Sequence, residues 1–281
     1  QSIYPLIGNC LRAFAESKFT QVPMTFRTLW CRDNGFWTGE GDYRYGVLDR
    51  LFEELLADDP ETPVLLFIGL DAPHWWGAKY PDELMRFQDG TSWNYGLAPA
   101  SFASMKFRHD VSAMLKALLD YCRDRAPYRD RIAGFVLCGG YSAEWQNWAC
   151  HAAGGLNKLS DYSGSMAKAF DGFAMKRYPD IPPSDRAIPD LKTRLNHKNN
   201  SIFLPSNDFR RNLAYNDFLS QSVVDFATAM ARQARVGIAP GQLLGIYYGY
   251  TFEYANLGWA LQLSGHNALR RILDTPELDF L

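Results

Sequence analysis

Charge of one sign is missing from this sequence. Its 29 Lys and Arg nearly balance 31 Asp and Glu, and no basic stripe of the kind that tracks a nucleic-acid backbone is present. The densest Lys/Arg run, over 192–211, is broken by Asp208 and several Asn and reads as a solvated loop. No apolar run approaches the ~18 residues a membrane span requires, so neither nucleic acid nor a membrane is an expected partner. No signal-peptide pattern is visible; the chain starts at Gln1 and not at Met, which leaves targeting undetermined. Cysteine is sparse. The five (Cys10, Cys31, Cys122, Cys138 and Cys150) are odd in number and contain no C-x-x-C pair, which excludes a disulfide framework or zinc-site spacing and reads as free, buried thiols of a reducing compartment. His74 and His266 each lack a second ligand at metal spacing, and no Lys-Ser/Thr follows Gly139-Gly140 as a phosphate loop would need. Neither a metal nor a cofactor is expected.

Aromatic residues, by contrast, are abundant: 15% of the chain, with eight Trp and fifteen Tyr. Several sit in Gly- and Pro-rich segments and not at periodic core positions. Exposed aromatic faces are a platform for the apolar face of a sugar ring; an aromatic-rich core is the other reading, and composition does not separate the two.

Apolar, β-rich runs alternate with loops and amphipathic helices, the pattern of βα units around a parallel sheet. Strands are expected at Ile3–Ile7, Met24–Trp30, Val64–Gly69, Ile132–Cys138 and Leu243–Tyr250, with a hidden one conceivable at Ser201–Leu204. Helices are expected near Cys10–Lys18, Val47–Leu56, Val111–Arg123, Tyr162–Arg177, Phe218–Arg235 and His266–Leu273. The stretches 31–43, 70–109 and 179–210 read as loops; the second is long enough to suggest function. Leu278–Leu281 reads as the start of another strand. The fold class is therefore α/β, a (β/α)8 TIM-type barrel formed as one domain over 1–281. With five or six strands where a closed barrel needs eight, it is expected to be incomplete at its C-terminal end.

Barrel chemistry sits on the loops that follow strand C-termini, and the suspicious residues fall there. Arg27 and Trp30 end the second strand. Trp37 lies in the loop after it. Asp71, His74, Trp75 and Trp76 follow the third, and Tyr141, Glu144, Trp145 and Trp148 the fourth. Tyr248, Tyr250 and Glu253 follow Leu243–Tyr250; Tyr248 and Tyr250 alternate with Gly249 and are expected to face the barrel interior. Glycoside hydrolysis needs two carboxyl groups astride the scissile bond, one of them a proton donor with a raised pKa. Glu144, reached through a Gly-Gly bend and flanked by aromatic rings, suits the donor. Asp71 could bind sugar hydroxyls or cap the turn before Pro73; Arg27 could orient a carboxylate or pair structurally; Trp75 and Trp76 could stack a sugar or plug the rim.

Cys138-Gly-Gly-Tyr-Ser-Ala-Glu144-Trp resembles the acid/base segment of clan A glycoside hydrolases. Trp37-Thr-Gly-Glu-Gly-Asp-Tyr43, Asp71-Ala-Pro-His-Trp-Trp76 with Tyr80-Pro-Asp-Glu83, and Asp161-Tyr-Ser to Tyr178-Pro are similar to stretches of the family 42 β-galactosidases and their β-mannosidase-like relatives. The resemblance spans most of 20–180. It implies a retaining hydrolase of β-glycosides, β-galactosides or β-mannosides foremost, with Glu144 as acid/base, a glycoside or oligosaccharide as partner, and a homo-oligomer as a possible assembly. One departure stands out: the family's Asn before the acid/base, which contacts the sugar 2-hydroxyl, is Ala143 here. For the nucleophile two placements stay open: Glu253, the best candidate within the chain, or a carboxylate beyond residue 281. A non-catalytic carbohydrate-binding barrel is the alternative, and a metal-assisted barrel hydrolase is weakened by the missing ligand cluster.

Overall fold

The computed structural model describes residues 22–26, 35–58, 60–61, 63–93, 98–150, 158–195, 209–251 and 264–281. The expected strands at 3–7 and 201–204, the helix at 10–18, and the site residues Arg27 and Glu253 lie outside them.

A four-stranded parallel sheet is the frame. β1 (Val22–Phe26), β4 (Val64–Gly69), β5 (Ile132–Cys138) and β6 (Leu243–Ile246) lie side by side in chain order. Between β1 and β4 come β2 (Trp37–Gly39) and β3 (Asp42–Tyr43), a small antiparallel ribbon. The stretch 31–43 is thus partly paired and not all loop: Gly41 supplies the left-handed residue of the tight turn, at φ +67°, and the Thr38 hydroxyl donates to Asp42 at 2.8 Å.

Helices fill the crossovers. α1 (Gly46–Asp58) follows the ribbon. Its Leu48, Phe52 and Leu55 are buried, at the spacing of four and then three that makes one helical face. The expected loop 70–109 holds α2 (His74–Lys79), a 3-10 turn at Pro81–Glu83, and the start of α3 (Met105–Asp124). α3 begins six residues before Val111 because Ser104 caps it, its hydroxyl accepting the Phe107 N–H at 2.9 Å. Four charged or His residues at 106 and 108–110 hide that first amphipathic turn from a hydrophobic pattern. α4 (Ala126–Arg129) is a single turn before β5. α5 (Gly164–Arg177) is capped in the same way by Ser163. After α6 (Leu191–Leu195) comes α7 (Arg210–Gly237), which starts eight residues before the expected Phe218 because Ala214 and Tyr215 are already core. α8 (Leu269–Leu273) is a short C-terminal helix.

The two faces of the sheet differ. Leu66 and Ile68 of β4, Phe135 and Leu137 of β5, and Leu244 and Ile246 of β6 join one large cluster with α1, α3 and α7. Each such side chain contributes about 1.5–3 kcal/mol by leaving water. The opposite face carries a smaller cluster, Val136, Cys138 and Ala143 against Phe67 and Phe280. Helices on one side and a narrow apolar lining on the other is the arrangement of a barrel wall. Phe280, in the stretch where a new strand is expected to start, forms an isolated parallel bridge to Gly245 of β6. The described strands make an open arc and not a closed barrel.

Gly172 lies inside α5, and a Cβ added there would meet nothing within 4 Å. Gly172→Ala should therefore stabilise the protein by roughly 0.5–1 kcal/mol, read as an upward shift of the urea midpoint at unchanged m-value.

Candidate active site

The loop after β5 is folded back tightly on itself. Gly140, Ser142, Ala143 and Trp145 all take left-handed φ, from 57° to 71°. Each of the three non-glycine residues costs of order 1 kcal/mol or more in that region, and such strain clusters where a side chain must be aimed. The loop closes through Trp145 N–H to the Gly139 carbonyl at 2.6 Å and Tyr141 N–H to the Gln146 carbonyl at 3.0 Å.

Trp145 is the anchor of this loop. It is fully buried, its indole N–H donates to the Leu137 carbonyl at 2.8 Å, and its ring packs near Phe102 and Phe226 in the helix-side core. With Trp145 pinned inward, its neighbour Glu144 stays at the C-terminal rim of the sheet, half-buried. Gln146, itself buried, donates from Nε2 to Glu144 Oε2 at 2.8 Å, and its Oε1 accepts from the Cys150 thiol at 3.6 Å. That amide fixes the carboxyl rotamer.

Asp71, at the end of β4, secures the loop from the other side: its Oδ1 accepts the Gly140 N–H at 2.5 Å, and the side chain is 3% exposed. The same carboxylate is therefore a structural tie between the two strand ends. Asp71→Ala would leave the buried Gly140 N–H unpaired, at a cost of about 1–3 kcal/mol, whereas Asp71→Asn retains an acceptor. Thermal melts should show Ala well below Asn.

Burial distinguishes among the expected sugar contacts. Trp76 has no exposed surface and donates its indole N–H to Asp110 at 2.8 Å. Trp145 is the anchor just described. Neither offers a ring face to a ligand. Trp37 is also buried; its carbonyl accepts the Trp75 indole N–H at 2.9 Å, and the two rings meet edge to face. Trp75 keeps part of its surface free, and His74 is exposed at the first position of α2.

Tyr248 differs from the expected inward phase. Leu244 and Ile246 face the helices, so the next residue on the opposite, inward face is Tyr247. Its ring lies 5.9 Å from Phe67. Burial, with lesser contributions from Cys138 and Glu144, pushes its phenol up from the usual value, which places it within electrostatic reach of the Glu144 carboxyl. Tyr248 is instead 7% exposed in the helix-side core, its hydroxyl donating to the Gly265 carbonyl at 2.6 Å, and its ring stacks on His266. Tyr250 packs against His266 as well, at 5.5 Å. Strand alternation gives the period but not the phase; only the helix contacts set it.

Two further residues complete the rim. Tyr141 stacks with Trp93 at 5.3 Å and 19°, both partly exposed. Trp93 is one of several loop aromatics in the sequence, and no local pattern distinguishes it from Trp75 or Trp76. The described cysteines Cys122, Cys138 and Cys150 are free and buried, as expected; burial pushes the Cys122 thiol up to about 12. Among the described residues no group of acidic, His and Cys side chains could hold a metal ion, and no helix is long and apolar enough to cross a membrane.

His266 is fully buried, and burial lowers its pKa to about 4 despite the nearby backbone carbonyls of Glu144 and Trp145, which act the other way. A base whose folded pKa lies below its unfolded value contributes stability that is complete above the unfolded value of 6.5 and is lost as pH falls toward 4. The loss amounts to roughly 3 kcal/mol by pH 4. Urea midpoints of the wild type should fall across that window more steeply than those of His266→Gln.

No protein-family model and no curated protein matches this sequence. Solved structures do match in fold. The catalytic domain of a β-amylase from Paenibacillus polymyxa superposes with a TM-score of 0.67 at 13% identity, over 99% of this chain and 72% of that one. A β-galactosidase from Bacillus circulans sp. alkalophilus gives 0.60 at 15% identity, over 91% and 37%. One from the psychrophilic Marinomonas ef1 gives 0.59 at 15%, over 86% and 35%. The chain thus spans little more than a third of the length of these β-galactosidases. At such identities the likeness shows the fold alone: the open arc resembles part of the barrel of these glycosidases, and a family 42 β-galactosidase from G. stearothermophilus is among the matched structures.

Proposed function

We propose that this chain forms the barrel part of a glycoside hydrolase that cleaves β-glycosides with retention, with Glu144 as its general acid/base. The observation that carries the reading is the strained loop after β5, which holds Glu144 half-buried at the C-terminal rim between the Trp145 anchor and the Asp71–Gly140 tie. A scaffold that keeps three non-glycine residues in left-handed backbone to aim one carboxyl group is spending stability on geometry, as functional sites do.

In this mechanism Glu144 protonates the departing glycosidic oxygen while a second carboxylate attacks the anomeric carbon. Glu144, now ionised, then takes a proton from the water that opens the glycosyl-enzyme. The Gln146 amide holds the Glu144 carboxyl in place through both steps. Tyr247 lines the same face, and the Trp93–Tyr141 pair forms an aromatic wall suited to a sugar ring. The attacking carboxylate is Glu253 or one later in the protein. The substrates put first are β-galactosides and β-mannosides; malto-oligosaccharides, whose linkages are α, enter the test as the class whose cleavage would contradict this reading, because a β-amylase is similar in fold.

A second reading, a barrel that binds carbohydrate without cleaving it, draws on Ala143 standing where the resembling enzymes carry Asn. Proton NMR of the longest natural form with aryl β-galactoside, aryl β-mannoside and malto-oligosaccharides separates the two. Release of the β-anomer first from an aryl β-glycoside supports the proposal. Saturable binding to these sugars without turnover supports the second reading.

A further inference from the structure

We propose that Cys150 is a positioning residue for the acid/base: its thiol sets which way round the Gln146 amide faces Glu144. The proposal rests on the reading of Glu144 as the general acid and adds what keeps its proton available. The Cys150 thiol donates to Gln146 Oε1 at 3.6 Å, and Gln146 Nε2 donates to Glu144 Oε2 at 2.8 Å. Both bonds point the same way, from Cys150 through Gln146 to Glu144. An amide has an acceptor end and a donor end, and half a turn about its last torsion exchanges them. Turned round, Gln146 would face Glu144 with its carbonyl. The protonated Glu144 would then donate to that carbonyl, and the proton meant for the glycosidic oxygen would be held by the scaffold. The thiol works against this state, because sulfur is a poor acceptor for the Nε2–H that would replace Oε1 beside it.

The chain reverses between the two residues. Ala149 is left-handed, at φ +64°, and Cys150 N–H donates to the Asn147 carbonyl at 3.2 Å, a turn that returns the thiol to Gln146. Trp148 pins this turn: its indole N–H donates to the Ala100 carbonyl at 2.9 Å, and its own carbonyl accepts the Ser160 hydroxyl at 2.5 Å. Cys150 belongs to the cluster that holds Leu159, Met166 and Phe170, so its place is set by packing against α5. Gln146 is held at its backbone, where the carbonyl accepts the Tyr141 N–H at 3.0 Å. With both backbones fixed, the direction of the amide plane is what the thiol decides. Gln146 and Cys150 are each 2% exposed, so bulk water does not reach in to take the thiol's part. Cys150 acts on Glu144 through Gln146.

The test uses the longest natural form of the protein. An ordinary hydrogen bond is worth about fivefold in an equilibrium, and a thiol donor gives less. On a glycoside with a poor leaving group, kcat/KM should fall about threefold in Cys150→Ala and recover in Cys150→Ser, whose hydroxyl also donates. On an activated aryl glycoside, whose leaving group departs unprotonated, Cys150→Ala should match wild type. Beside Gln146→Met, Cys150→Ala should cost nothing more, because no amide is left to orient. Nuclear Overhauser contacts read the amide directly. The Gln146 Nε2 protons should lie near Glu144 and away from position 150 in wild type and Cys150→Ser, and should also contact the β-protons at position 150 in Cys150→Ala. A loss equal on both leaving groups, a loss that persists beside Gln146→Met, or unchanged amide contacts in Cys150→Ala overturns the proposal. If wild type cleaves no glycoside while the amide contacts change as stated, the orienting role stands and it is the catalytic reading of Glu144 that fails.

Discussion

Glu144→Gln should lower kcat on glycosides with poor leaving groups by about 10²–10⁴-fold, the usual worth of a positioned general acid. The loss should shrink when the leaving group is an activated phenol. Such a group departs without protonation, so the first step proceeds and the glycosyl-enzyme then accumulates, its hydrolysis starved of a base. A burst followed by slow turnover on an activated aryl glycoside is the expected trace. Folding should be nearly untouched. Glu144 is half-buried, and the Gln146 amide that holds its carboxylate can also donate to the carbonyl oxygen of a glutamine. A melting temperature close to wild type, with activity down by orders of magnitude, would separate chemistry from scaffold.

Gly140→Ala should be the most damaging conservative change in the described structure. Two penalties add at this position. The backbone is left-handed, at φ +71°, where a side chain costs about 1–2 kcal/mol. An added Cβ would also lie 2.4 Å from the Gln146 carbonyl oxygen and 3.1 Å from its nitrogen, backbone atoms that cannot swing aside. The Gln146 peptide would have to move, and with it the bond from Tyr141 N–H, the bond from Gly140 N–H to Asp71, and the side chain that orients Glu144. We expect destabilisation of roughly 3 kcal/mol, seen in urea melts, together with a loss of kcat in the fraction that folds. Gly172→Ala is the matched control, expected to change stability in the opposite direction.

The sheet is legible in the sequence because β4 and β5 are short apolar runs with polar flanks; Val64–Gly69 and Ile132–Cys138 stand where the pattern puts them. Helix starts are less legible. The first turns of α3 and α7 carry charged or polar residues beside a few buried ones, and a cap such as Ser104 is a stronger signal than periodicity at that point. The site is legible as a position: Glu144 follows β5 through a glycine pair at the sheet's C-terminal rim. Which aromatics face a ligand is not. Trp75 and Trp76 are adjacent in sequence, yet one is partly exposed and the other sealed against Asp110 and Phe107. Tyr247 and Tyr248 divide in the same way across the two faces of the sheet. In each case burial is set by helices distant in sequence, α3 for Trp76 and the segment around His266 for Tyr248. Asp71 stands out as a polar residue on the rim, but its bond to Gly140 depends on the pairing of β4 with β5, which no local pattern contains.

The most direct test of the central claim is chemical rescue of Glu144→Ala in the longest natural form of the protein. An aryl β-glycoside that the wild type hydrolyses is supplied with and without azide. The account predicts that azide restores turnover and yields a β-glycosyl azide, because a small anion needs no general base to attack the glycosyl-enzyme and retention is preserved through two inversions. A Glu144→Ala variant that hydrolyses the same substrate at the wild-type rate would contradict it and move the acid/base to another carboxyl group.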